Sequence, residues 1–427
     1  YAITQVTIPN ACTISGDGQG NTFYWTGSTP NPNPMSVGSM FIPYGGNTND
    51  LFLVTTTQSV NFEKVSFFSS NNSLGSSSKR TGGSYITFTT PGSSGTNFGS
   101  RITNCFFAYG YNNIIFNDNA GWVIDKCYFA NWVNDSVYMA NNNNHDYGDA
   151  CYTNNYSDCN VGSSLGTGIH IHQVSSGGLK IVGNKFLAGS YQYLGELAAG
   201  DATSIFTCTG NSFEGASAAA MAFNVTANGY GNGNISGNQY TVFNSSSAIS
   251  LVGTNFSNFY IGNNQFTHGT LFGGSPNSIS LNLTNGSNLT IGPNGHSGSS
   301  TGQRAIVMSG SNSSIYIHAQ SVNGMTSYAG SYGSCTFAMG RALNGSTPSW
   351  RLVVGYGSMW CTNVQRVNFP VAFPQTPNLA VELTASVSSA IGYQIESVDA
   401  SGFYINIVGL TYNNYAQANY QAWLTGQ

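Results

Sequence analysis

Short alternations of apolar and polar residues, each closed by Gly, Asn or Ser, follow one another along most of this chain, and one frame within them recurs. An apolar residue is followed three positions later by Asn, Cys or Val and two further on by an aromatic. The examples are Phe62-Val65-Phe67, Ile102-Cys105-Phe107, Ile124-Cys127-Phe129, Ile181-Asn184-Phe186, Cys208-Asn211-Phe213, Ile235-Asn238-Tyr240, Ile261-Asn264-Phe266 and a degenerate Ile291-Asn294-His296. Successive frames start 22 to 30 residues apart, apart from gaps of 40 and 57. A Gly or another turn former precedes most of the later Asn positions, as in IVGNKF, TCTGNSF and ISGNQY. A second short strand lies upstream of several frames, as at Ile169-His170-Ile171, Met221-Ala222-Phe223, Ile249-Ser250-Leu251 and Ile279-Ser280-Leu281.

Two or three short strands per turn at a near-constant period predict an all-β fold, a right-handed parallel β-helix over residues 1–330. In such a solenoid each coil exposes an apolar face that only its neighbours can bury. The aligned Asn positions can stack into a hydrogen-bonded ladder and the Phe and Tyr positions into an interior column. The periodicity fades near residue 330. A connecting segment over 331–365 then leads to strand–turn–strand alternations (VNFPVAF, LAVELTASV, YQIESV, GFYINIVGLTY), which predict a small antiparallel β-sandwich over 366–427. The strand-like alternation already present at Ile3, Val6 and Ile8 leads us to expect a segment upstream of Tyr1.

Composition narrows the class of function. Only 6% of the 427 residues are charged, which is far below the quarter or so usual in soluble domains, while Gly, Asn, Ser and aromatics abound. That rules out helical bundles. The net charge of -4 comes without a run of either sign, so nothing here would neutralise a phosphate backbone or an anionic membrane, and neither nucleic acid nor membrane is an expected partner. No cofactor is expected. The eight Cys show no zinc spacing, and no metal site is expected. Cys151 and Cys159 bracket seven residues and could pair, or remain thiols. An aromatic-rich surface of hydroxyls and amides suits carbohydrate.

The opening VTIPNACTISGDGQGNTFYW resembles the first coil of pectate-lyase-like β-helices, and the Ile/Asn/Phe coils resemble those of bacteriophage tailspikes and capsule depolymerases. VNFPVAFPQTPNLAV, SGFYINI and the late Trp423 resemble the β-sandwich tip of phage tail fibres, although such tips usually end in an Ile-Ala-Ile-Gly-like strand and this chain ends Leu424-Thr425-Gly426-Gln427. The resemblance implies a homotrimeric tailspike on the virion tail that binds and cleaves a bacterial surface polysaccharide. It implies a virion-attachment segment upstream, and a tip used for trimerisation or receptor binding.

Candidate chemistry then rests on few residues. Glycoside hydrolysis normally needs two carboxyl groups, and nine of the 15 acids fall between Asp118 and Glu214. Among them Glu196 and Asp201 in GELAAGD, Glu214 after the aromatic of its frame, and Asp149 in YGDAC are the candidate catalytic groups of an endo-glycosidase. The 57-residue gap carries NNNNHDYGDACYTNNYSDCNVGSS, too polar for a core, so residues 134–168 are expected to form a loop walling a carbohydrate groove. On the next strand the two-residue period would turn Ile169 and Ile171 inward and send His170 and His172 outward, toward Tyr138, Glu196 and Asp201, as sugar-binding or merely solvated side chains. Trp122 and Trp132 are candidate stacking platforms, or buried turn residues. A lyase would need a uronate and a base such as Lys, His or Tyr; Lys126, Lys180 and Lys185 are the only Lys or Arg between Arg101 and Arg304, which favours hydrolysis. A non-catalytic receptor-binding fibre and a bacterial adhesive β-solenoid are the alternatives.

Overall fold

The computed structural model describes residues 2–17, 23–26, 29–32, 39–43, 48–69, 80–89, 97–117, 119–140, 149–159, 166–174, 177–197, 205–225, 231–242, 247–269, 276–298, 303–311, 313–318, 320–323, 326–330, 336–341, 349–351, 359–361, 364–368, 376, 378–384, 392–399, 401–408 and 416–423. Within them the recurring frame has a simple geometry. Its first residue lies near the end of a strand of one sheet, the corner residue comes two positions later, and the aromatic lies on a strand of the next sheet. Coil after coil adds one strand to each of three sheets of 12, 12 and 13 strands, parallel but for the antiparallel last strand of the third, Ser349–Arg351, so the chain is an all-β parallel solenoid. The first sheet contains strands such as Lys185–Leu187, the second Ile169–Gln173 and the third Leu179–Val182. The parallel pairing of the third sheet runs on to Thr336–Arg341. Six later strands form two three-stranded antiparallel sheets, Met359–Cys361, Asn378–Thr384 and Ala416–Trp423 in one, Val364–Asn368, Gly392–Asp399 and Gly402–Val408 in the other.

Equivalent frame residues are register partners: Ile181, Cys208, Ile235 and Ile261 in the third sheet, and Phe186, Phe213, Tyr240 and Phe266 in the first. The rings stack along the interior with centroids 4.9 Å apart from Phe186 to Phe213, Tyr240 and Phe266, and 5.0 Å from Phe266 to His296. The Asn positions stack beside them. In each rung the backbone N–H and Nδ2 of one Asn both donate to Oδ1 of the next, as from Asn184 to Asn211 (2.8 and 2.9 Å) and from Asn211 to Asn238 (3.0 and 2.9 Å). The second Nδ2 proton of Asn211 goes back to the Ile181 carbonyl at 2.9 Å. Burying a ring contributes about 1.5–3 kcal/mol in any register, whereas a slipped Asn strands several buried polar groups at about 1–3 kcal/mol each. Rings therefore supply the cohesion, and the ladder fixes the register.

In eight coils the corner residue before the Val, Cys or Asn of the frame sits at positive φ. Lys64, Asn104, Lys126, Asn154, Gly183, Gly210, Gly237 and Asn263 all take it, with φ between 53° and 70°. At Gly210 a Cβ would meet nothing within 4 Å, so the backbone conformation is what opposes one. Gly210→Ala is expected to lower stability by about 1 kcal/mol and Gly210→Asn by less than half of that, because Asn tolerates this region. Urea unfolding midpoints of the two variants check the order.

The described residues of the long gap in the repeat include strand as well as turns. The gap contains a regular coil, with strands Ala150–Thr153 and Tyr156–Asp158 in the third and first sheets, and Asn155 is a rung that accepts the Cys127 N–H at 2.8 Å and donates to Asn184. The expectation of a loop over 134–168 is corrected to this extent: strands Asp135–Ala140, Ala150–Thr153 and Tyr156–Asp158 lie within it. Residues 141–148 and 160–165 within it lie outside the described residues. Ser157 holds the ring position of this coil, and Tyr152 fills the column from the opposite strand, 6.0 Å from Phe129 and 5.8 Å from Phe186. Cys151 and Cys159 are not joined by a disulfide; Cys159 is buried, while the Cys151 thiol faces the Asp149 carbonyl.

Candidate functional site on the second sheet

The outer face of the second sheet brings four side chains from three successive coils together. Asp135 and Tyr138 come from strand Asp135–Ala140, His172 from Ile169–Gln173 and Glu196 from Tyr191–Leu197. Parallel register sets Asp135 against Ile169 and Tyr138 against His172. His172 Nε2 lies 3.0 Å from Glu196 Oε2, and Nδ1 lies 3.4 Å from Asp135 Oδ1. The first contact is a hydrogen bond; the second, at 3.4 Å, is a longer ion pair with neither atom otherwise hydrogen-bonded. The Tyr138 ring meets the imidazole edge-on at 5.0 Å. Exposure grades outward: the Asp135 side chain is 6% exposed, His172 14% and Glu196 46%. Asp135 is fixed in turn by Asn134, whose Nδ2 donates to Oδ2 at 3.0 Å, and by its own N–H donating to Asn112 Oδ1 at 3.1 Å. Beside the cluster lies an apolar shelf of Leu194, Ala219 and Ala222 with Ile169 and Tyr191.

Burial alone would lower the proton affinity of His172, but Asp135 and then Glu196 outweigh it and raise the imidazole above its ordinary range. The Tyr138 hydroxyl is also pushed up, by burial and then by Asp135 and Glu196, and stays protonated at neutral pH. The His172 shift fixes a sign. A histidine whose native value is raised adds stability that is complete below about pH 6.5, its unfolded value, and is lost as pH climbs through the native one. NMR titration is expected to place His172 above the ordinary histidine value and to move it down in Asp135→Asn and in Glu196→Gln. An unmoved midpoint would show that the carboxylates do not hold the proton.

Other expected site residues lie elsewhere. His170 is buried, not outward, because two successive residues turn inward where the chain bends into the second sheet; its ring nitrogens meet Ser157 Oγ at 2.8 Å and the Ala188 carbonyl at 3.0 Å. Burial lowers it to about 3 and keeps it neutral. Trp122 and Trp132 are fully buried and offer no face to a ligand. Trp122 stacks on Phe116 at 4.4 Å, and Trp132 donates through Nε1 to the Ile169 carbonyl at 2.9 Å. Glu214 sits on the first sheet, paired with Leu187 and Thr241, and Asp149 at the corner opening the third-sheet strand Ala150–Thr153. Neither shares a sheet with Glu196, and Asp201 lies outside the described residues.

No family model matches the chain, and no curated protein does. Solved structures do resemble it. The tailspike protein gp49 from Pseudomonas phage LKA1 is 12% identical over 91% of this chain and 66% of that one, with a TM-score of 0.41. DFA-IIIase from Arthrobacter chlorophenolicus A6 without its lid, in complex with GF2, is 16% identical over 79% and 81%, with a TM-score of 0.47. Dettilon tailspike protein gp208 is 10% identical over 90% and 88%, with a TM-score of 0.37.

Asp135 is the residue that sequence reasoning missed. It stands among the clustered acids but is 37 positions from His172 and 61 from Glu196, and only strand register brings the three together. Its one local signal is its place three residues before Tyr138, at the head of an apolar strand.

Proposed function

We propose that this protein binds and hydrolyses a bacterial surface polysaccharide, capsule or O-antigen, along the outer face of the second sheet. The observation that carries this reading is His172 held between a buried and a half-exposed carboxylate next to Tyr138. Glu196 is the group in reach of substrate and acts as the acid/base. His172 supplies and retrieves its proton, and Asp135 orients the imidazole and balances its charge. Tyr138 offers a hydroxyl to the sugar, and the hydrolysis draws its second carboxyl group from Asp201. A role for Glu214 or Asp149 in the same reaction has no support from their positions.

The wider setting follows from the resemblance of the coils and of the C-terminal segment. The chain acts as a homotrimeric tailspike on the virion tail, with an attachment segment upstream. Its parts are a β-helix over 1–330, a connection over 331–365, and a tip over 366–427 that serves trimerisation or receptor binding.

Purified protein incubated with host capsule or O-antigen is expected to release reducing ends without the absorbance of an unsaturated uronate. That absorbance would indicate a lyase instead. A binding-only fibre is the second reading, favoured by Glu196 being the one well-exposed acid of the cluster; retained binding without fragments would establish it. A monomer in solution would favour the adhesive solenoid.

A further inference from the structure

A second site opens on a different corner of the solenoid. Where the third sheet turns into the first, three successive coils carry Gly183, Gly210 and Gly237 at positive φ. The conformation does not demand glycine, because Asn104, Asn154 and Asn263 adopt it in other coils. What the run of glycines does is leave the corner bare. A Cβ at Gly210 would meet nothing within 4 Å and one at Gly237 only the Gly210 nitrogen, at 4.0 Å, whereas one at Gly183 would come within 3.0 Å of Asn154 Oδ1. The result is a trough of about 450 Å³, walled by Asn154, Tyr156, Lys185 and Gln239. That volume lies within the range of small-ligand sites, roughly 300–1,000 Å³.

Its walls are polar and rigid. Tyr156 is stacked on Tyr128 at 4.8 Å, and Lys185 Nζ lies 6.0 Å from the centre of the Tyr156 ring. Burial, and then Asp158 and Glu214, push the Tyr156 hydroxyl up to about 12, so it remains a hydrogen-bond donor. Exposed Lys185 lines the trough, and Lys180 is exposed on the adjoining strand of the third sheet, paired with Cys151. They are two of the only three cationic side chains between Arg101 and Arg304, and the third, Lys126, lies 3.8 Å from Asp125. Lys185 is the cationic side chain among the described residues that line the trough, and Asn154 donates to Asp125 Oδ1 at 2.9 Å beside it.

We propose that this glycine-floored trough is a second, non-catalytic saccharide site that takes an acidic sugar unit, its carboxylate on Lys185 and its hydroxyls on Tyr156, Asn154 and Gln239. The inference rests on the polysaccharide reading above but on a different face from the Glu196 cluster. The trough would hold a charged polymer while the second sheet works on it.

The test uses the full chain with the Glu196→Gln change, so that no probe is consumed. Hyaluronan tetrasaccharide and tri-galacturonate serve as acidic probes and isomaltotriose as the neutral control. Calorimetry is expected to show binding of at least one acidic probe and none of the control. Lys185→Gln should weaken it about tenfold, the worth of one charge-assisted hydrogen bond. Gly210→Asn, which places a side chain in the trough, should weaken it at least as much, with the unfolding midpoint lowered only by the small amount given above for this change. No uptake of either acidic probe at millimolar concentration, or equal affinity in both variants, would overturn the proposal. Full cleavage of polymer by Glu196→Gln would instead overturn the catalytic assignment and leave the trough standing on its binding data.

Discussion

Replacing Glu196 with Gln is expected to lower the cleavage rate by about 10²- to 10⁴-fold while leaving polysaccharide binding within a few-fold, the range that loss of one positioned acid/base group produces. Gln keeps the shape and can still meet the sugar, but it can neither take a proton from His172 at 3.0 Å nor return one. The fold should be unaffected, since the side chain is 46% exposed. His172→Gln removes the proton store and should fall in the same range. Asp135→Asn should cost less in rate at low pH and more as pH rises. It removes one of the two charges that hold the imidazole protonated, so the alkaline limb of the rate profile moves to lower pH. Fragment release by reducing-end assay, with binding measured separately, distinguishes these outcomes. A Glu196→Gln protein of unchanged rate would remove this cluster from the chemistry.

Asn211→Ala is expected to destabilise the solenoid by about 3–5 kcal/mol, more than almost any single surface change. Three buried groups lose their partners: the Asn184 N–H, one Asn184 Nδ2 proton and the Ile181 carbonyl. Each costs about 1–3 kcal/mol once stranded. The comparison is Asn234→Ala, which removes an exposed Asn from the next coil and should stay within about 0.5 kcal/mol. Because coils interact with their neighbours in a one-dimensional stack, the damage should appear first as lost hydrogen-exchange protection on both sides of residue 211. Equal midpoints for the two variants would mean that the ladder contributes no more than a surface amide.

The solenoid is legible in the sequence because one geometric position recurs in each coil and accepts few side chains. Ile181-Asn184-Phe186 and its successors announce the inward apolar residue, the rung and the ring. The coil Tyr152-Asn155-Ser157 escaped because its ring moved: Tyr152 fills the column from the third sheet, and the aromatic position is left to Ser157. His170 escaped for a related reason, since strict alternation fails at a bend where His170 and Ile171 both face inward. Tyr138, His172 and Glu196 could be picked out as chemically apt residues near one another in the chain. Asp135 could not, because its contact depends on which residue of one coil lies over which residue of the next. Trp122 shows the opposite error: an aromatic beside a turn looks like a platform, yet ring stacking on Phe116 gains more from burial than exposure would offer.

The most direct test of the second-sheet site is a crystal structure of the Glu196→Gln protein with an oligosaccharide from the host polysaccharide. The account predicts a sugar chain lying across the second sheet, with a glycosidic oxygen within hydrogen-bond reach of residue 196 and a hydroxyl on Tyr138. An oligosaccharide seated elsewhere, with the Asp135–His172 pair untouched by ligand, would contradict it.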